Sequence, residues 1–157
     1  MGRSAARDPS RAPSKAADLY SWAVRQAELL RAGRLSEIDP AAIAEEIDDV
    51  GEEQYDKLES ALRILMLHLL KWDHQPDRRT RSWTASVREQ RRRVLRHLRK
   101  NPGLKSRLDE ALGDAYEDAR DEASGETGLP LNAFPALRPY AFQEIMERQV
   151  EWSGDTP

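Results

Sequence analysis

The sequence has 157 residues, a formal net charge of −3 and no cysteine. A chain of this length is about one domain, and the lack of cysteine excludes disulfides, thiolate metal sites and cysteine nucleophiles. The acidic total gives the molecule as a whole no attraction to nucleic acids or anionic membranes.

The two ends of the chain differ in composition from the middle. Residues 1–17 are rich in Ser, Arg, Ala and Pro, which predicts a disordered leader, and residues 153–157 are predicted to be a flexible tail. Residues 18–152 are predicted to form one helical domain. No apolar run reaches the roughly 18 residues that a membrane span needs. Because a chain without cysteine also fits a reducing compartment, we expect a cytoplasmic protein.

The first two predicted helices cover about residues 18–32 and 39–72. A capping aspartate starts the first helix and a glycine ends it, and the second starts at a capping aspartate followed by proline. Gly51 is expected to kink or split the second helix, since glycine weakens a helix interior. Residues 61–70 are apolar almost all round, which predicts the centre of the fold.

Three further helices are predicted at about residues 82–100, 104–124 and 140–150. An Asn-Pro-Gly break ends the third helix, and alanines at successive turns of the fourth allow a neighbouring helix to approach closely. Helices joined by short breaks pack antiparallel. The predicted fold is therefore all-α: an up-and-down bundle of four main helices plus a short C-terminal helix.

The third predicted helix carries a stripe of arginines opposite its apolar side. At 100° per residue, the stripe is formed by Arg81, Arg88, Arg92, Arg96 and Arg99. Such a stripe is a candidate surface for a partner protein or for phosphate groups. Arg91 falls beside the apolar side instead, and a partly buried arginine is predicted to form an ion pair with a carboxylate.

Carboxylates on other predicted helices could neutralise the positive charge of the arginine stripe. Glu45, Asp49, Glu52, Asp56 and Glu59 form a ladder on one face of the second predicted helix, and the fourth is acidic as well. Left alone, such a ladder repels itself. Mutual neutralisation is therefore expected, either within a monomer or across a homodimer interface.

The turn after the second helix is a second candidate surface. Trp72, Pro76 and Trp83 lie in or beside this turn, and an exposed patch of these residues would mark a partner site. The tryptophans near helix ends are structural by default, because a buried indole can keep its N–H hydrogen-bonded there.

No catalytic or metal-binding motif is readable. Phosphate loops and nucleophile elbows are missing, and none of the three histidines follows a glutamate at the Glu-x-x-His spacing of di-iron bundles. His68 lies on an apolar helix face and is expected to be a neutral core residue. A carboxylate–metal enzyme built on Glu45, Asp49, Glu52 and His68 is the weakest of the alternatives, and we expect no cofactor.

Several segments resemble one bacterial family, catalogued as domain of unknown function number twenty-nine. The resemblance rests on "DLYSWAVRQAELLRAGRLSEID", "AEEIDDVG", "LLKWDHQPDRRTRSW", "REQRRRV" and "GLPLNAFP…RPY", and it covers about residues 18–152. Ala141 stands where the family pattern has Ser or Thr. The resemblance implies a compact all-helical domain, and it implies no activity, cofactor or site residue.

The sequence therefore predicts a non-catalytic module for protein interaction or regulation, with a protein partner or a second copy on one of the two candidate surfaces. The alternative is a nucleic-acid-binding accessory protein that uses the same arginine stripe. Local positive charge favours this alternative, but the acidic total and the lack of a helix-turn-helix or zinc-finger signature oppose it.

Overall fold

A computed structural model describes residues 13–154 of the chain. Five α-helices follow one another: α1 (Leu19–Arg31), α2 (Pro40–His74), α3 (Arg81–Lys100), α4 (Leu108–Thr127) and α5 (Phe142–Glu147). Short 3-10 turns lie at Pro76–Arg78, Pro102–Arg107 and Leu131–Ala133. No strand occurs between residues 13 and 154. The predicted all-α helical bundle is confirmed.

The chain divides into two compact units, Met1–Val50 and Gly51–Pro157. The boundary falls inside α2, which is one unbroken helix, so the split expected at Gly51 is wrong. A glycine costs only about 1 kcal/mol in a helix interior, and the rest of a 35-residue helix outweighs that cost.

In the first unit, side chains cap both helices. Asp18 accepts a hydrogen bond from the Ser21 amide at 3.0 Å, as predicted for the start of α1. Gly33 takes a φ of 68° just after α1, the left-handed conformation that favours glycine. Buried Gln26 accepts a hydrogen bond from the Asp39 amide at 2.8 Å and so ties α1 to the start of α2.

Only part of the predicted leader and tail belongs to the described residues. Residues 1–12 and 155–157 lie outside them. Within the leader, Lys15 places its Nζ 2.8 Å from Glu45 and 2.9 Å from Glu46, so this lysine is tied to the first turns of α2.

In the second unit, α2, α3 and α4 run up, down and up. Contacts between α2 and α4 advance together along both helices, from Tyr55–Asp114 to Arg63–Glu122 and Lys71–Glu126, so these two helices are parallel. In contrast, Lys71 near the end of α2 lies 4.7 Å from the Trp83 ring near the start of α3. The charge of Lys57, earlier in α2, acts on His97 near the end of α3, so α3 is antiparallel to α2.

The core of the second unit forms around the apolar segment of α2, as predicted. Five of its side chains are fully buried: Leu62, Leu65, Met66, Leu69 and Leu70. The alanines of α4 that were expected to allow close helix approach are also fully buried: Ala111, Ala115 and Ala119. The small side chains of these alanines leave room for the larger side chains of α2 in the shared core.

Two predicted helix boundaries differ from the structure. The fourth helix starts at Leu108, because Pro102–Arg107 forms a 3-10 turn after the Asn-Pro-Gly break. The last helix is shorter than expected and covers only Phe142–Glu147. Its start lacks a side-chain cap, since Ala141 occupies the capping position.

Candidate interaction surface on the third helix

Helix α3 presents its arginines because its opposite side is held in the core. Thr80 caps the helix by accepting a hydrogen bond from the Trp83 amide at 3.3 Å. Val87, Val94 and Leu98 are buried on the inner side. The predicted arginine stripe is consequently turned outward, and we call it the arginine face: Arg81, Arg88, Arg92, Arg96 and Arg99.

All five side chains of the arginine face are exposed. At 1.5 Å per residue the face is roughly 27 Å long. Within residues 13–154, none of the five forms an ion pair with a carboxylate. The Arg81 guanidinium lies 5.5 Å from the centre of the Trp152 ring. The one acid of α3, Glu89, binds Arg93, which is not part of the face.

Several acids of α2 and α4 pair with cations that lie outside the arginine face. Lys71 of α2 lies 2.5 Å from Glu126 of α4, and Arg63 of α2 pairs with Glu122 of α4. Glu52 pairs with Arg107 at 2.8 Å. Within the described part of the chain, the acids of α2 and α4 therefore leave the arginine face unpaired.

Arg91 corrects the prediction of a buried ion pair. Its guanidinium donates two hydrogen bonds to main-chain carbonyl oxygens, that of Ile145 at 2.9 Å and that of Arg148 at 2.7 Å. Burial, together with the positive charge of Arg148, lowers the pKa of Arg91. Main-chain carbonyl groups at the end of α5, which lack a partner within the helix, accept the hydrogen bonds that were predicted to go to a carboxylate.

Asp73, which the sequence analysis overlooked, is the anion at the centre of this region. It accepts hydrogen bonds from the Tyr140 hydroxyl at 2.6 Å and from both terminal nitrogens of Arg148, one of them at 2.9 Å. Burial favours the neutral acid, but these donors outweigh burial and hold the pKa of Asp73 below its usual value. The only signal in the sequence is a carboxylate placed directly after the buried Trp72.

The second candidate surface does not form as predicted. Trp72 is only 6% exposed, and the Arg79 guanidinium covers its ring at 4.7 Å. Trp83 is half-buried beneath Lys71, and only Pro76 is exposed. Trp72 belongs to the apolar core and Trp83 packs against that core, and a cation covers each ring on its remaining side. The prediction of an exposed aromatic patch at this turn is therefore wrong.

Three of the four residues of the metal alternative, Glu45, Glu52 and His68, are engaged elsewhere. Nδ1 of His68 is 2.8 Å from the Ile64 carbonyl oxygen, and burial lowers the pKa of His68. Glu45 binds Lys15 and Glu52 binds Arg107. Between residues 13 and 154, no group of three or more His, Asp or Glu side chains is placed to hold a metal ion.

A groove of ≈ 690 Å³ opens beside the first half of α3. Arg81, Thr84, Arg88 and Arg91 line one wall, and residues 149–152 line the other. Sequence periodicity alone could not find this groove, because its second wall is a segment without regular secondary structure that follows α5.

These features define a class: an all-helical bundle with a long cationic face on one helix. The family model described as "Domain of unknown function DUF29" matches residues 16–151. The chain belongs to this family, as its resemblance predicted. No curated protein and no solved structure matches the chain. None of the helices between residues 13 and 154 has the length and apolarity that crossing a bilayer requires.

Proposed function

We propose that this protein is a non-catalytic interaction module that binds an acidic surface of a partner protein through the arginine face. The observation that carries the proposal is the contrast in pairing. Glu52, Glu122 and Glu126 have cationic partners in the same chain, whereas none of the five arginines has a carboxylate partner among residues 13–154.

An unpaired row of like charges has a cost. Arginines four residues apart, as at positions 88, 92 and 96, repel each other by a few tenths of a kcal/mol per pair. A row of this kind steers an acidic partner toward the helix and sets its register. Arginine suits the task, because its planar guanidinium binds carboxylates in a bidentate manner.

An exposed leucine favours a protein partner over a nucleic acid. Leu95 is 56% exposed, and its helical angle places it among Arg88, Arg92 and Arg99. An apolar side chain ringed by arginines matches a protein interface, where apolar contacts are central and charges form the rim. On a phosphate backbone the same leucine would have no complementary contact.

The test is affinity capture with three forms of the full chain: the wild type, Arg92→Glu/Arg96→Glu, and the control Arg25→Glu/Arg31→Glu. The control reverses two exposed arginines of α1 and changes the net charge equally. Each capture is run with and without nuclease, and sedimentation at several concentrations reports binding of a second copy.

We expect a protein that binds the wild type and the control, survives nuclease and is lost with the reversed arginine face. Self-association lost in the same way would identify the partner as a second copy. Capture that nuclease abolishes would overturn the proposal in favour of nucleic acid, and capture equal for all three forms would exclude the arginine face as the surface.

A further inference from the structure

The groove beside α3 has the dimensions and charge of a small-molecule site. Its volume of ≈ 690 Å³ lies within the range of about 300–1,000 Å³ that is usual for ligand pockets. Three guanidinium groups line it, from Arg81, Arg88 and Arg91, and the one carboxylate in its lining is that of Glu151. The groove therefore carries excess positive charge.

A buried hydroxyl in the lining lacks a partner. Thr84 is only 5% exposed, and its Oγ1 makes no hydrogen bond within the described residues. Buried polar side-chain atoms are nearly always hydrogen-bonded. A helical threonine can bond to the carbonyl four residues before it, but here the Thr80 carbonyl accepts only the Thr84 amide, at 3.4 Å.

Arg91 is held in place with part of its donor capacity unused. Its Nε and Nη2 donate to the carbonyl oxygens of Ile145 and Arg148. Its Nη1 has no protein acceptor between residues 13 and 154. A half-buried guanidinium without a counter-charge is stabilised by any anion that enters the groove, because burial strengthens the attraction.

We propose that this groove binds the oxyanion group, phosphoryl or carboxylate, of a small organic anion. Arg81, Arg88 and Arg91 supply charged donors, and the Thr84 hydroxyl supplies a neutral one. Trp152 forms an apolar wall for the remainder of the ligand, since its ring is still 37% exposed. This site goes beyond the proposed function, because it needs no partner protein.

The experiment is a titration of the full ¹⁵N-labelled chain with inorganic phosphate in one arm and citrate in the other, at constant ionic strength, followed by NMR. We expect saturable shifts at the Thr84 amide and the Trp152 indole N–H in at least one arm. Phosphate alone would identify a phosphoryl ligand, and citrate alone a carboxylate ligand. Shifts that fail to saturate in both arms would overturn the proposal.

Two variants separate binding from bulk charge. Arg81→Gln/Arg88→Gln should weaken binding about tenfold or more, because two charge-assisted hydrogen bonds are lost. The control Arg96→Gln/Arg99→Gln removes equal charge from the same helix outside the groove and should leave the affinity unchanged. Equal weakening of binding by both variants would show that the anion is attracted only by the overall positive charge of the helix. That result would overturn the proposed site.

Thr84→Val tests the hydroxyl, because valine keeps the shape of the side chain. We expect this variant to raise the melting temperature of the free protein and to weaken binding of the probe about threefold or more, since a donor to the anion is lost. A purely structural hydroxyl would give the opposite pattern: a lower melting temperature and unchanged affinity. That result would overturn the role of Thr84 in the site.

Discussion

Replacing Asp73 with asparagine tests the anion that holds the C-terminal segment to the bundle. The wild-type carboxylate accepts hydrogen bonds from Tyr140 and Arg148, and Arg148 in turn offers its carbonyl oxygen to Arg91. Asp73→Asn keeps nearly the same shape but removes the charge. Arg148 then stays half-buried without its counter-ion, and the Tyr140 hydroxyl loses a charged acceptor.

The expected cost lies between two limits. Breaking a fully buried ion pair costs about 3–5 kcal/mol, whereas an exposed pair contributes about 0–1 kcal/mol. The side chains of Asp73 and Arg148 are 25% and 28% exposed, which places this pair between the limits. Adding the weakened Tyr140 bond, we expect Asp73→Asn to lower the free energy of unfolding by about 2–3 kcal/mol at pH 7.

The cost should depend on pH in a defined direction. Because the folded-state pKa of Asp73 is depressed, its stabilisation is fully present above the unfolded pKa of about 3.9 and is lost as the pH falls through the folded pKa. The difference between wild type and Asp73→Asn should therefore be constant from pH 7 to about pH 5 and should shrink below about pH 4.

Urea denaturation followed by circular dichroism at pH 7, 5 and 3.5 measures this difference. Asp77→Asn, an exposed aspartate in the following turn, is the matched control and should change stability by less than about 0.5 kcal/mol. A cost for Asp73→Asn below about 1 kcal/mol at pH 7 would refute the reasoning. So would a cost that is equally large at pH 3.5.

Two further predictions concern the core and the helix ends. Leu65→Ala should lower the free energy of unfolding, measured by urea denaturation, by about 2–5 kcal/mol, because Leu65 is fully buried. The control Leu137→Ala should cost less than about 0.5 kcal/mol, because Leu137 is 84% exposed. Similar costs for the two variants would show that Leu65 does not lie in the core. Gly128→Ala should lower the free energy of unfolding by about 1 kcal/mol, because φ is 71° there. Gly113→Ala inside α4 should raise the free energy of unfolding by up to about 1 kcal/mol, since the new methyl group meets nothing within 4 Å. The melting temperatures of the two variants should therefore shift in opposite directions. Two shifts of the same sign would contradict this account.

The helices could be predicted because their signals are local. Apolar residues at a spacing of three and four located the core of α2, and an aspartate with a following proline located its start. The start of α4 was missed by four residues because a 3-10 turn and an α-helix share the same composition near Pro102.

The arginine face could be predicted for the same reason. A helix with Val87, Val94 and Leu98 on its buried side must turn the opposite side outward, whatever packs against it. The partner of Arg91 could not be predicted in this way. Burial of a guanidinium demands hydrogen-bond acceptors but does not specify whether they are carboxylates or carbonyl groups.

The sequence by itself determined the helical class, the buried side of each long helix and the exposure of the arginine face, because these follow from residues three or four positions apart. Only the tertiary structure decided the pairing of Asp73 with Arg148, 75 residues away, and the donation from Arg91 to Ile145, 54 residues away. The groove beside Thr84 depends on the same contacts. Such partners are brought together by packing, which no local periodicity encodes.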